Sequence, residues 1–198
     1  MFDLIQKGGP IMLPLLVTSV ISLAVVLDRI LFVIRTKISR QPKAVENLLI
    51  HVKRGDLEAA ISAGEKSRDF VARTLTYGLK NQDRSLSSAL LQAANQELKH
   101  FNLGLPVLDT VITLAPLLGL LATVTGMIHA FGLLGNKELD APSVITGGIA
   151  EALIGTAFGL AIAILALIPF NYLNAFMEQA RREIEDASTH LELLLKGS

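Results

Sequence analysis

There is no cysteine among the 198 residues. Disulfides and thiolate metal sites are therefore excluded, and cysteine usage gives no reading of redox compartment. Histidine is scarce as well: His51, His100, His129 and His190 are scattered, and no metal-ligand cluster, nucleotide loop or nucleophile constellation can be read around them. The 15 glycines are spread along the chain instead of gathered where a strand would meet a helix, which argues against a dinucleotide- or phosphate-binding loop. Charge is also sparse, at 18% of residues against the quarter usual for soluble domains. No cofactor, metal or nucleic-acid partner is expected, and no enzymatic chemistry.

What is present is apolar. Half of the residues are hydrophobic, and three runs carry no charge: Gly8 to Leu27, Thr110 to Asn136, and Ala152 to Met177. Each is long enough for a bilayer core of about 30 Å, since a helix rises about 1.5 Å per residue. The first run lacks a basic leader beyond Lys7 and a small-residue cleavage site, and reads as a retained anchor. Between Arg35 and Asn102 twelve Lys or Arg stand against seven Asp or Glu, while the segment before the first run has only Lys7 and the stretch 135–142 only Lys137. The positive-inside tendency then puts the basic segment in the cytoplasm and the N-terminus outside.

The chain is thus expected to be an all-α membrane protein with long cytoplasmic helical extensions. The boundaries predicted are an outward N-terminus and first span over 1–34, a cytoplasmic helical region over 35–104, and a second span over 105–134. An outward turn over 135–142, a third span over 143–172 and a cytoplasmic helical tail over 173–198 follow. Within the cytoplasmic region, Pro42 suits the first turn of a helix reaching Lys53, Gly55-Asp56 reads as a stop and a cap, and helical patterning resumes at Asp69 and again at Ser85. So small a region should make a weak core alone, and its helices are expected to pack on those of neighbouring copies.

The second and third spans carry matching stripes of small residues, Ala115, Gly119, Ala122, Gly126 and Ala130 in one and Gly148, Ala152, Gly155, Gly159 and Ala163 in the other. Both step by 4, 3, 4 and 4, which keeps each stripe on one narrow face and lets backbones approach closely. Thr123 and Thr156 lie at the same angular offset from their stripes and at nearly the same depth in an antiparallel pair. Glu151 is the one charged residue between Ala141 and Met177. A carboxylate within a span costs about 2.5 to 3.5 kcal/mol on insertion scales, so a partner or a role is expected for it. His129, near the outer end of the second span, is the histidine closest to this region in depth.

The stretches LAPLLGLLATVTGMIHAF at 114–131 and GGIAEALIGTAFGLAIAI at 147–164, with Asn171, resemble the ExbB/TolQ/MotA proton-channel family. Three apolar runs instead of four make the chain similar to the ExbB/TolQ branch. The resemblance implies a homo-pentamer whose second and third helices surround a central pore. That pore would hold a transmembrane helix of an ExbD- or TolR-like partner, with a TonB- or TolA-like protein beyond it, in a bacterial inner membrane. It implies that Thr123, Thr156 and Glu151 line a proton path toward the partner's aspartate, with Gly119, Ala122, Gly126, Gly148, Gly155 and Gly159 in helix packing. Two positions depart from the family pattern: Ala122 stands where a glycine is usual, and Pro169 comes a turn later than the usual proline. The rival readings are a non-conducting membrane scaffold, which leaves Glu151 without a role, and a secondary transporter component, which would show broken helices and internal repeats.

Overall fold

The computed structural model describes residues 9–134 and 141–196. Among these there are seven helices and no strand: α1 (Met12–Ile38), α2 (Pro42–Lys53), α3 (Leu57–Glu65), α4 (Phe70–Lys80), α5 (Gln82–Asn102), α6 (Leu105–Leu134) and α7 (Ala141–Lys196). Three segments are long and apolar enough to cross a membrane: α1, Leu105–Gly132 of α6 and Thr146–Lys196 of α7. The turn expected over 135–142 lies outside the described residues except for its last two, as do Lys7 and Lys137. The chain divides into two compact units, one of residues 9–28 with Gly104–Asn171, the other of Arg29–Leu103 with residues 172–196.

In the second unit, short helices are set by their ends. Pro42 occupies the first turn of α2, where its missing N–H leaves no bond unmade. The helix stops at Gly55, whose φ of +76° is the left-handed conformation that glycine adopts without a Cβ clash. Its N–H donates to the Val52 carbonyl at 2.9 Å and that of Asp56 to His51 at 3.0 Å, so the closing carbonyls are satisfied. Asp56 then caps α3 by accepting from the Ala59 N–H at 3.0 Å, and Asp69 caps α4 by accepting from Val71 at 2.9 Å. Ser85 breaks α5 with an extended backbone, and its hydroxyl oxygen accepts from the Ser88 N–H at 3.3 Å. The regular part of α5 therefore begins where the sequence pattern resumed.

The expectation of a weak core is corrected by this unit. Leu48, Val52, Ala60, Leu75, Leu79, Leu90 and Phe101 form one buried cluster with Ala180, Ile184 and Leu191 of α7. The tail supplies the missing face from within the chain, because Ala180, Ile184, Ala187 and Leu191 recur at helical spacing on one side of α7. Phe101 centres an aromatic group, 5.2 Å from Phe32 and Phe70 and 5.6 Å from Phe176 between ring centroids.

A charged network fastens the tail to this unit. The Asp69 side chain is wholly buried and accepts from Arg40 Nη1 at 2.7 Å, from the Gln41 N–H at 2.7 Å and from the Val71 N–H at 2.9 Å. Arg40 also pairs with Glu183 on α7 and lies over the Phe70 ring, 4.6 Å from its centroid. Removing the carboxylate takes the acceptor from the buried Val71 N–H and the part-buried Gln41 N–H, and leaves Arg40 with Glu183 alone. Asp69→Ala is therefore expected to cost about 3 kcal/mol, the upper end of the range for leaving a buried donor without its acceptor. Asp56→Ala, an exposed cap, should cost about 1 kcal/mol. Chemical unfolding in detergent compares them, and equal costs would show that the network contributes no more than a cap.

In the first unit, Gly104 (φ +80°) separates α5 from α6, and Pro106 lies in the first turn of α6. Pro169 lies inside α7 without ending it. The buried residues are few and mostly small, Met12 and Leu15 of α1 clustering with Ala115 of α6 and Ala163 of α7. Large side chains such as Leu13, Leu23, Leu117, Ile128, Leu153 and Leu165 are exposed, an apolar surface suited to lipid or to other chains.

Candidate functional site

The close contact between α6 and α7 is made by backbone and methyl groups, with small residues of one helix set against those of the other. A Cβ added at Gly155 would stand 2.5 Å from the Ala122 Cβ, one at Gly126 2.9 Å from the Ala152 Cβ, and one at Gly148 2.6 Å from the Ala130 Cβ. At each of these points one helix carries a methyl and the other a glycine. The methyl of Ala122 is received by Gly155. At Gly159 the neighbours are backbone alone, the Ala115 carbonyl, Gly119 Cα at 3.1 Å and Gly119 N at 3.2 Å. A Cβ added at Gly119 would stand 3.0 Å from Thr156 Cα.

The two threonines stand differently. The Thr156 hydroxyl donates across the seam to the Gly119 carbonyl at 2.7 Å, with its own Ala152 carbonyl farther off at 3.4 Å. The Thr123 hydroxyl donates within its own helix to Leu120 at 2.6 Å. Both are half-buried. Equal offset from the stripes did not give equal surroundings, because Thr156 looks onto Gly119, where no side chain stands in the way. Thr156→Val should thus lower stability by about 0.6 to 1.7 kcal/mol, the range for an interhelical side-chain bond in a membrane protein, and Thr123→Val by almost nothing. Thermal unfolding in matched detergent tests the difference, and equal losses would remove the cross-helix bond as its cause.

Glu151 is turned toward the start of α1. It is half-buried, and a Cβ added at Gly9 would run into its Oε1, with Cδ at 3.2 Å and Cγ at 3.6 Å. Gly9 has φ +71° and its carbonyl accepts from the Met12 N–H at 3.1 Å, so a glycine both turns the chain into α1 and leaves room for the carboxylate. Beside it lies a cavity of about 340 Å³ lined by Gly9, Pro10, Ile11, Ala122, Thr125, Gly126, His129 and Glu151. The structure therefore brings His129 and Glu151 to one cavity, whereas Thr156 lies in the seam. Sequence reasoning missed Gly9 and Thr125. Thr125 had a readable signal, since it shares with Gly126 and His129 the helical spacing of one α6 face. Among the described residues no group of three or more His, Asp or Glu side chains could hold a metal ion.

Residues 63–186, which take in both small-residue helices, Thr123, Glu151 and Thr156, match the MotA/TolQ/ExbB proton channel family. The chain belongs to this family. The putative biopolymer transport protein ExbB-like 1 of Synechocystis sp. is 34% identical over 99% of this chain and 79% of its own length. ExbB-like 3 of the same organism is 30% identical over 96% and 93%. The Tol-Pal system protein TolQ of Haemophilus influenzae is 40% identical over 43% of this chain and 38% of its own. These relatives place the family member in its ExbB/TolQ branch. With its three apolar helices it is an inner-membrane protein and a proton-channel-type subunit of an energising complex.

Proposed function

We propose that this chain is the channel-forming stator subunit of a proton-driven inner-membrane motor. Five copies surround a central pore with α6 and α7 inward and α1 toward lipid. The pore holds the transmembrane helix of an ExbD- or TolR-like partner, whose aspartate carries the proton. Thr123, Thr156 and Glu151 belong to the path, and inward flow drives outer-membrane transport or envelope maintenance through a TonB- or TolA-like protein. The N-terminus faces outward, and the basic region and tail are cytoplasmic.

The observation that carries this reading is Glu151, a carboxylate in a membrane span that sits beside a partly open cavity shared with His129 and Thr125. A carboxylate shielded by protein at such depth is by default functional. A non-conducting scaffold would need the tight seam between α6 and α7 but not this cavity. The α6 and α7 faces left bare of cover by α1 fit assembly around a pore, since one chain of three spans encloses none.

Native mass spectrometry of the complex in mild detergent should give five copies of this chain with the partner, and a stable monomer or dimer would overturn the assembly. Proton uptake into liposomes should depend on the partner. Thr123→Val and Thr156→Val should each depress that uptake while the pentamer persists, because a hydroxyl both donates and accepts where valine does neither. Normal uptake in both variants would take the hydroxyls out of the path.

A further inference from the structure

A second cavity, of about 500 Å³, lies wholly within the other unit, and three arginines line it, Arg35, Arg68 and Arg73, with Thr36, Ser39 and His100. Two carboxylates also face it, Asp69 and Glu97. Both are already matched, Asp69 by Arg40 and two backbone N–H groups, Glu97 by Arg73. Among the described residues the guanidiniums of Arg35 and Arg68 take no ion pair or hydrogen bond and are exposed to the cavity. Two cations and two hydroxyls thus border a space whose own two carboxylates are already matched.

The place of this cavity in the chain identifies the anion. Arg35 is the first residue after the apolar run Ile30-Leu31-Phe32-Val33-Ile34 of α1, and His100 and Phe101 close α5 just before the span that starts at Leu105. Both flanks therefore fall where a membrane span gives way to polar sequence, the level of lipid headgroups. The rest of the wall is aromatic, from Phe32, Phe70 and Phe101. A soluble anion has no use for such a wall, whereas the glycerol and first acyl carbons of a lipid do. Guanidinium forks match phosphate oxygens in a bidentate manner, and basic pockets on the cytoplasmic side of membrane proteins take anionic headgroups.

The geometry points to a binding site for the headgroup of an anionic phospholipid, held by Arg35 and Arg68 with Thr36 and Ser39 beside them. This stands apart from the proton path and does not depend on the pentamer or the partner.

The test uses the full chain purified into nanodiscs of phosphatidylcholine containing a minor share of phosphatidylglycerol, with co-purifying lipid counted by mass spectrometry after detergent exchange. Wild type should retain phosphatidylglycerol preferentially. At about 1 kcal/mol per basic residue, R35Q/R68Q should lose roughly thirty-fold of that preference and R68Q alone roughly five-fold. Lys53→Gln, at the exposed end of α2, should change nothing. Neither arginine holds another side chain, so the variants are expected to fold, and an unchanged thermal transition checks this. Retention equal to wild type in the folded double variant would overturn the site. Displacement of the lipid by millimolar glycerol phosphate in solution would overturn the lipid assignment, since it would show that the phosphate alone is recognised.

Discussion

Gly155→Ala is expected to loosen α6 from α7, and Ala122→Gly in the same chain is expected to restore the contact. The Cβ that Gly155 lacks would fall 2.5 Å from the Ala122 Cβ, and the next neighbour, Ala122 Cα, is 3.9 Å away. Only one methyl fits between the two backbones there, and its present owner is Ala122. Overpacking a tight contact costs about 1 to 3 kcal/mol, and Ala122→Gly alone should cost less, by emptying the space. The double variant moves the methyl from one helix to the other at nearly constant volume, so its loss should fall well below the sum of the singles. Gly159→Leu admits no such rescue, because its neighbours are the backbone of Ala115 and Gly119. It should abolish assembly, while Gly132→Leu, with nothing within 4 Å of its Cβ, should not. Oligomer retention in native mass spectrometry reads all five. Additive losses in the Ala122 and Gly155 pair would mean that the two residues do not share one contact.

The helix ends of the second unit were legible because they are local. Pro42, Gly55, Asp56 and Asp69 each act on backbone groups within four residues, and the helices begin and end at or beside the positions those residues mark. The role of the tail was not legible. Glu178, Arg181, Arg182, Glu183, Glu185 and Asp186 dominate its first turns, and their charge hid the Ala180, Ile184, Leu191 face that completes the core. That face has meaning only against helices that lie far earlier in the chain, from Leu48 to Phe101.

At the candidate site the same limit applies. Step lengths of 4, 3, 4 and 4 were visible in both spans, and the structure sets Ala122 against Gly155 and Ala152 against Gly126. What a helical projection does not hold is the rotation of one helix against the other. That rotation gives Thr156 the Gly119 carbonyl at 2.7 Å and leaves Thr123 bonded to its own turn. Glu151 was conspicuous as a lone charge, yet its neighbour Gly9 lies 142 residues away and no periodicity connects them.

Glu151→Ala should lower partner-dependent proton uptake by about two orders of magnitude, the low end of what a positioned proton-transfer group contributes. The side chain stands in a span where lipid would exclude a charge, yet it is half-buried against Gly9 and opens on the cavity that His129 and Thr125 also line. Alanine removes both the titratable group and its capacity to hydrogen-bond. Glu151→Gln separates them, since glutamine keeps the shape and can bond but cannot take up or release a proton in the working range. Uptake lost in both variants assigns proton transfer to Glu151; uptake kept in glutamine assigns it hydrogen bonding alone. Gly9→Ala approaches the same group from the other side. Its methyl would meet Oε1, and an L residue is strained at φ +71°, so the carboxylate must shift and uptake should fall partway at unchanged expression. Wild-type uptake in Glu151→Ala at equal expression would leave the carboxylate without a part in the path, and the cavity beside α1 would then be no more than a packing gap.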